Sequence, residues 1–418
     1  MERGGVRKAW HLVAVVFLCA VAPDAVRVCS AGPRSRSASP GNRDAARARR
    51  GPFWTGRPSA ANAVAGRNPL TGELVPANPP AAARAPQSEE ARVATRIPFE
   101  GMLVTFGGHD GEAYLSSAES LTPGLSRHTW KAEPDMVQSR AHFASCLLDG
   151  RVWALGGWDP YNQDRMQAEG SQAKALETVE IFDVQRGTWM TGPKMVSRRA
   201  FHGAVALGSS IYVVGGFDGI RDLDLVDRLD VSRATWVRGW PLKHPRSACC
   251  VGSLGGRLFV SGGHNGLQGL ATCESFDPRE GRWRQEPDML YHRAYAAATS
   301  SGDCLFVAGG NFGVSFLDTV EMYDARKGTW RMLPSLNLKR NGASLALVGD
   351  TLFCLGGFDG GTDCLSVTES LDLSKPLSHS SWQMAPELLL RRDGSCSQVL
   401  PAMTRQWGVA FNGGADNE

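Results

Sequence analysis

Six tryptophans, Trp130, Trp189, Trp236, Trp283, Trp330 and Trp382, each have an arginine ten residues later, and after five of them a Gly-Gly doublet begins twenty-six residues on. Together with Gly107-Gly108, the doublets starting at Gly156, Gly215, Gly262, Gly309 and Gly356 are spaced by 49, 59, 47, 47 and 47 residues. A fixed period of this size belongs to chains built from stacked supersecondary units, none of which can bury its apolar face without neighbours. The fold must therefore offer six equivalent places for one indole, one guanidinium and one pair of glycines.

Each unit reads as strands. Before every doublet lies a short apolar run such as Leu258-Phe259-Val260-Ser261 or Leu305-Phe306-Val307-Ala308, the mark of a buried strand bounded by glycine. A polar turn follows, as at Asp218-Gly219, then a strand with an acid and often an aromatic, as in Val320-Glu321-Met322-Tyr323-Asp324. That order makes a hairpin. A further turn leads to the tryptophan strand, then a proline, an apolar residue and the arginine, after which small residues such as Ala296-Ala297-Ala298 make a fourth, tightly packed strand. Four antiparallel strands per unit make a blade.

The doublets, the Glu-x-Tyr/Phe-Asp strand, the spaced tryptophan and its arginine resemble Kelch repeats over about residues 101 to 400, in the style of Kelch-like substrate adaptors. The resemblance implies an all-β, six-bladed Kelch β-propeller around a central channel, a closed form in which only short sheet edges remain. Gly394 to Leu400 is read as the strand that closes the ring beside Met102, with Arg92 to Ile97 as the alternative, and Arg405 to Gly414 as a leftover strand or a tail.

The repeated residues have structural jobs. Glycines near a crowded axis tolerate little side chain and suit positive φ. Each tryptophan is expected to bury roughly 150–250 Å² between blades. Glu180, Asp227, Glu274 and Glu321, nine residues before their tryptophans, are expected to take hydrogen bonds within the blade rather than do acid–base chemistry. The long loop Trp158 to Ala175 breaks the period and stands as a recognition element.

Three segments follow: 1–31, 32–98 and the propeller, 99–418. Arg3, Arg7 and Lys8 precede the apolar stretch Leu12 to Ala22, too short to span about 30 Å of hydrocarbon, so the first segment reads as a secretory signal peptide. If retained as a signal anchor, it would tether the chain to a membrane. Residues 32–98 are rich in Arg, Ala, Pro and Ser, lack periodicity and are expected to be a disordered N-terminal extension. They read equally as a flexible linker or as the transit-like half of a complex-plastid address; the destination is secreted, endomembrane or plastid. Residues 1–98 hold 15 Lys/Arg and 6 Asp/Glu, the rest 30 and 36, and the mildly acidic propeller argues against nucleic acid.

The ten cysteines contain no C-x-x-C pair, which argues against zinc. Those beyond the leader fall on predicted strands or, for Cys273 and Cys364, on the approach to the acid strand, as buried thiols acting like small hydrophobes, a state that favours a reducing destination.

The Kelch resemblance places function on one face of the disc. In the adaptors, the arginine position and the turn after the doublet line a face that holds a partner's peptide, often an acidic one. The positions carried over are Arg140, Arg199, Arg246, Arg293, Arg340 and Arg392, with Trp158, Phe217, Phe312 and Phe358 as apolar anchors. Guanidinium groups hold carboxylates bidentately, so the expected partner is a protein or peptide, an acidic one on this reading, bound by a monomeric scaffold with no catalytic residue, metal or cofactor. The same arginines read equally as bridges from loops to carbonyls. Kelch propellers also include copper-radical oxidases and sialic acid mutarotases. A copper site needs converging ligands, and His109 and His264 are predicted to lie on opposite sides of the ring. The third reading is a ubiquitin-ligase substrate-binding subunit, although residues 1–98 lack the periodicity of the adaptors' helical modules.

Overall fold

In the computed structural model the structure describes residues 101–122, 129–160 and 175–401. The signal, the N-terminal extension, most of the Trp158–Ala175 loop, the alternative closing strand and the Arg405–Gly414 run lie outside the described residues.

The described chain forms six four-stranded antiparallel sheets arranged as the blades of a propeller. Blades are numbered here by their doublets. Blade two is typical, with strands Ala144–Leu148, Arg151–Leu155, Val179–Asp183 and Thr188–Thr191 in consecutive order. The small-residue strand is the innermost strand of the following blade, not the last of its own repeat. Its six copies neighbour one another around the axis, where only small side chains let the backbones converge. Repeat and blade are thus offset by one strand, and the ring closes accordingly. Cys396–Pro401 pairs with Gly101–Phe106 in register Phe106↔Cys396 to Gly101↔Pro401, completing blade one. Pairing the chain's late strand with its early one removes an open edge.

The core is six apolar layers, one in each gap between blades. A strand such as Cys304–Ala308 is therefore buried on both faces, which is why it reads as an unbroken apolar run. Across each gap the tryptophan of one blade donates its indole N–H to a carbonyl at the end of the preceding blade's outer strand. The acceptors are Pro386, Pro134, Pro193, Trp240, Pro287 and Pro334 for Trp130 through Trp382, at 2.8–3.0 Å. Trp130, Trp330 and Trp382 are buried, and Trp189, Trp236 and Trp283 are half-buried.

Both glycines of all six doublets have positive φ, and a Cβ on the first would stand under 3 Å from the carbonyl oxygen of an arginine. Conformation and space both exclude a side chain there.

Trp382 is 2 % exposed and fills the gap between blades five and six. Trp382→Ala is expected to lower unfolding stability by about 3–5 kcal/mol in denaturant titration. Trp283→Ala, at a half-buried ring, should cost clearly less.

Candidate functional site

The two loops that leave the doublet side of each blade share one face. In blade two the strand pairings Leu155↔Val179 and Glu180↔Thr191 bring the loop after the doublet and the loop after the outer strand to the same side. The predicted binding residues all lie in these loops.

The six arginines do not present their guanidinium groups to a partner. All are 0–1 % exposed. Each backbone is tied to one blade and each side chain to the next. Arg293 donates its N–H to Leu270 O and accepts from Gly263 N in blade four; its guanidinium donates to Gly309 O, Thr319 O, Thr319 Oγ1 and Glu321 Oε1 in blade five. The pattern repeats around the disc. Arg140–Glu180, Arg246–Glu274, Arg293–Glu321, Arg340–Glu369 and Arg392–Glu119 are ion pairs of 2.5–2.7 Å, and Arg199 pairs with Asp227. Burial pulls Arg140, Arg199 and Arg392 below the usual arginine range, Arg199 to about 10, and the acids beside them oppose it. The expectation that these arginines grip an acidic ligand is corrected: desolvated and paired with buried acids, they clasp blade to blade, with only Nε of Arg140, Arg199, Arg246 and Arg293 left without a hydrogen bond. The acids do take hydrogen bonds, but across the gap rather than within their own blade, a correction to that expectation: Glu321 accepts from Leu290 N, Tyr291 N and Arg293 of the preceding blade.

Trp158, Phe217 and Phe358 are half-exposed and Phe312 is exposed, so all four anchors stand at the surface of this face. Trp158 meets Phe217 at 6.2 Å between ring centroids, while Phe312 and Phe358 lie against His292 and Phe316. The Asp or Asn that follows folds its own loop: Asp110, Asp218 and Asn265 each accept two backbone N–H groups from their tips. His109 and His264 do the same through Nδ1, accepting from Gly111 N and Gly266 N in opposite blades.

What sequence reasoning missed lies two residues beyond each arginine. His142, Phe201, Ala248, Tyr295, Gly342 and Gly394 all have positive φ, and each donates its N–H to the carbonyl of the one before, at 2.6–3.0 Å, closing a ring of six around the axis. His142 and Tyr295 belong to opposite blades, yet their rings are 6.4 Å apart, and Phe201 lies between them at 4.6 and 5.5 Å. The trio therefore spans the mouth of the axis. An aromatic or histidine interrupting a run of small residues was the available signal.

On the glycine side of this ring sits Asp393, 7 % exposed, between the backbone of Gly342 and the imidazole of His142, whose Nε2 is 3.9 Å from Oδ2. Its Oδ1 has no hydrogen-bond partner. Burial pushes this carboxyl up to about 7, against the pull of the Gly394 N–H.

All eight cysteines of the described region are free thiols, buried or half-buried as expected. Burial raises Cys249 and Cys354 to about 11 and Cys250 and Cys396 to about 12, which keeps them protonated.

Comparison with known proteins agrees with this geometry. Residues 165–357 match the KLHDC2/KLHL20/DRC7 Kelch-repeats domain and residues 339–389 the Kelch motif. Similar proteins include human Kelch repeat and BTB domain-containing protein 12, 30 % identical over 26 % of this chain and 18 % of its own length. Beta-scruin of Limulus polyphemus is 30 % identical over 25 % of this chain and 11 % of its own length. The chain thus matches only a small part of these relatives. A solved structure titled "Structure of YjhT" shares the fold, with TM-score 0.55 and 14 % identity over 69 % of this chain and 98 % of that one. The domain is a Kelch-repeat β-propeller.

Two outcomes follow from the buried charges. Glu321→Ala leaves the Arg293 cation buried without its partner and is expected to cost about 3–5 kcal/mol by denaturant titration. For Asp393 the folded state holds its proton more tightly than the unfolded chain. Its contribution is full below about pH 4 and is lost as pH rises through about 7. Asp393→Asn is accordingly expected to raise Tm over wild type at pH 8, with the gain shrinking toward pH 4.

Proposed function

We propose that this chain is a non-catalytic interaction scaffold that takes a segment of a partner protein on the doublet-side loop face of its propeller. The observation that carries the reading is the unequal distribution of apolar surface. Of thirteen exposed large hydrophobic residues among those described, nine stand on the loops of this face and three on outer strands, while the ring of the thirteenth, Trp240, lies beside Gly281 of an opposite turn. Ile220, Leu267 and Val314 occupy one equivalent position, five residues after the first doublet glycine of blades three, four and five, and are 72 %, 80 % and 85 % exposed. An apolar arc displayed on a rigid scaffold favours a protein surface as its counterpart. Trp158, Phe217, Phe312 and Phe358 extend it toward the axis.

An acidic ligand is no part of this proposal, because the arginines on which it rested are clasped inside the disc. The copper-oxidase alternative requires His109 and His264 to converge, and they sit in opposite blades with their Nδ1 atoms used by their own loops. No particular observation favours the mutarotase or the ligase-subunit alternative.

The test compares partners captured by tagged full-length chain with those captured by an Ile220→Ser, Leu267→Ser, Val314→Ser variant. Exposed side chains carry little folding energy, so Tm should stay within about 2–4 °C of wild type. Specific partners are expected to be lost from the variant and kept by an Arg279→Ser, Arg326→Ser control on the opposite turns. An identical partner set from both would overturn the proposal.

A further inference from the structure

We propose that the partner segment is basic, with apolar residues for the loop tips and a lysine or arginine whose cationic head reaches the mouth beside Asp393. This rests on the loop face being the docking surface.

The electrostatics of the face carry the inference. The six arginines add nothing to its outward field, since each is neutralised by its own buried acid. Once they are set aside, the described residues of the six loops between doublet and acid strand hold ten Asp/Glu against one basic residue, Arg221. The arginine-bearing loops are near balance, with five further Lys/Arg against four Asp/Glu. The opposite turns hold six Lys/Arg and four Asp/Glu among the described residues, and several of these bases pair with strand-end aspartates, so that side has no comparable one-sided loop charge. The apolar arc is therefore set in an anionic field that attracts a basic segment and repels an acidic one.

Asp393 is the second observation. The equivalent residues after the other arginines are Ala141, Ala200, Ser247, Ala294 and Asn341, so a carboxyl is not required by the architecture. Here it is nine-tenths buried, with Oδ1 lacking any hydrogen bond. A group that costs the fold stability yet sits at the rim of a binding face fits a functional role. The third observation is the trio His142, Phe201 and Tyr295 across the same mouth. Aromatic faces beside a carboxylate form a site for a cation, attracted by the ring quadrupoles and by the charge it restores to the acid.

The experiment pans a random-sequence peptide library against the full-length chain and measures synthetic copies of the enriched peptides by titration. Enriched peptides are expected to combine Lys or Arg with apolar residues. Their affinity should fall with salt and drop about tenfold or more in Asp393→Asn, as expected when a desolvated charge loses its partner. That variant should keep its fold, because Asn341 already occupies the matching place in the adjacent blade. Acidic or uncharged peptides whose binding still needs Ile220, Leu267 and Val314 would overturn the basic-segment inference and leave the loop-face reading standing. Peptides indifferent to the triple serine variant would overturn both. Basic peptides indifferent to Asp393→Asn would overturn the assignment of Asp393.

Discussion

The structure depends on one buried ion pair used six times. An arginine held by its backbone to one blade sends its guanidinium into the next, where a carboxylate, a doublet carbonyl and a carbonyl just before the acid strand take up its terminal N–H groups. Arginine suits the task because its planar fork keeps its charge even when burial lowers its proton affinity, as at Arg199, pulled down to about 10. Such a pair is weak evidence for net stability, since desolvation offsets much of the attraction. Its physical effect is geometric: it sets the distance and angle between sheets that the apolar layers alone would leave free to slide. The tryptophan N–H bonds do the same at the outer rim and the six-membered peptide ring does it at the mouth, so neighbouring blades are registered at three radii.

That registration determines what is left for recognition. With the guanidinium groups and their acids spent inside, the loop face keeps apolar tips, half-exposed aromatics and an excess of carboxylates. The opposite side keeps mostly short, charged hairpins. A disc with unlike faces is what a one-sided scaffold requires, and the asymmetry arises although the repeats are alike. Strand ends on one side are joined by two-residue or four-residue turns in blades two to five, with longer connections before the outer strands of blades one and six, whereas on the other side every connection is long.

The six-blade architecture was legible because its requirements recur: twelve doublet glycines at positive φ, six indoles, six arginines. The surface position of Trp158, Phe217, Phe312 and Phe358 was legible too, since a residue placed just after the doublet has left the four strands of its blade. The destiny of the arginines was not. A repeated arginine reads the same whether it points outward to a ligand or inward to Glu321, for the deciding partner lies about thirty residues away in another blade. The mouth trio escaped for a related reason. His142, Phe201 and Tyr295 are separated by up to 153 residues, and only ring closure brings opposite blades within contact.

The sequence by itself determined the number of blades, the strand content and the indoles between blades, because each follows from a local pattern repeated at a fixed period. Tertiary structure alone decided which strand completes which blade, where the arginines spend their charge, and that Asp393 lies beside an aromatic mouth. These depend on contacts between residues far apart in the chain, and no period records which side chain will face which across a closed ring.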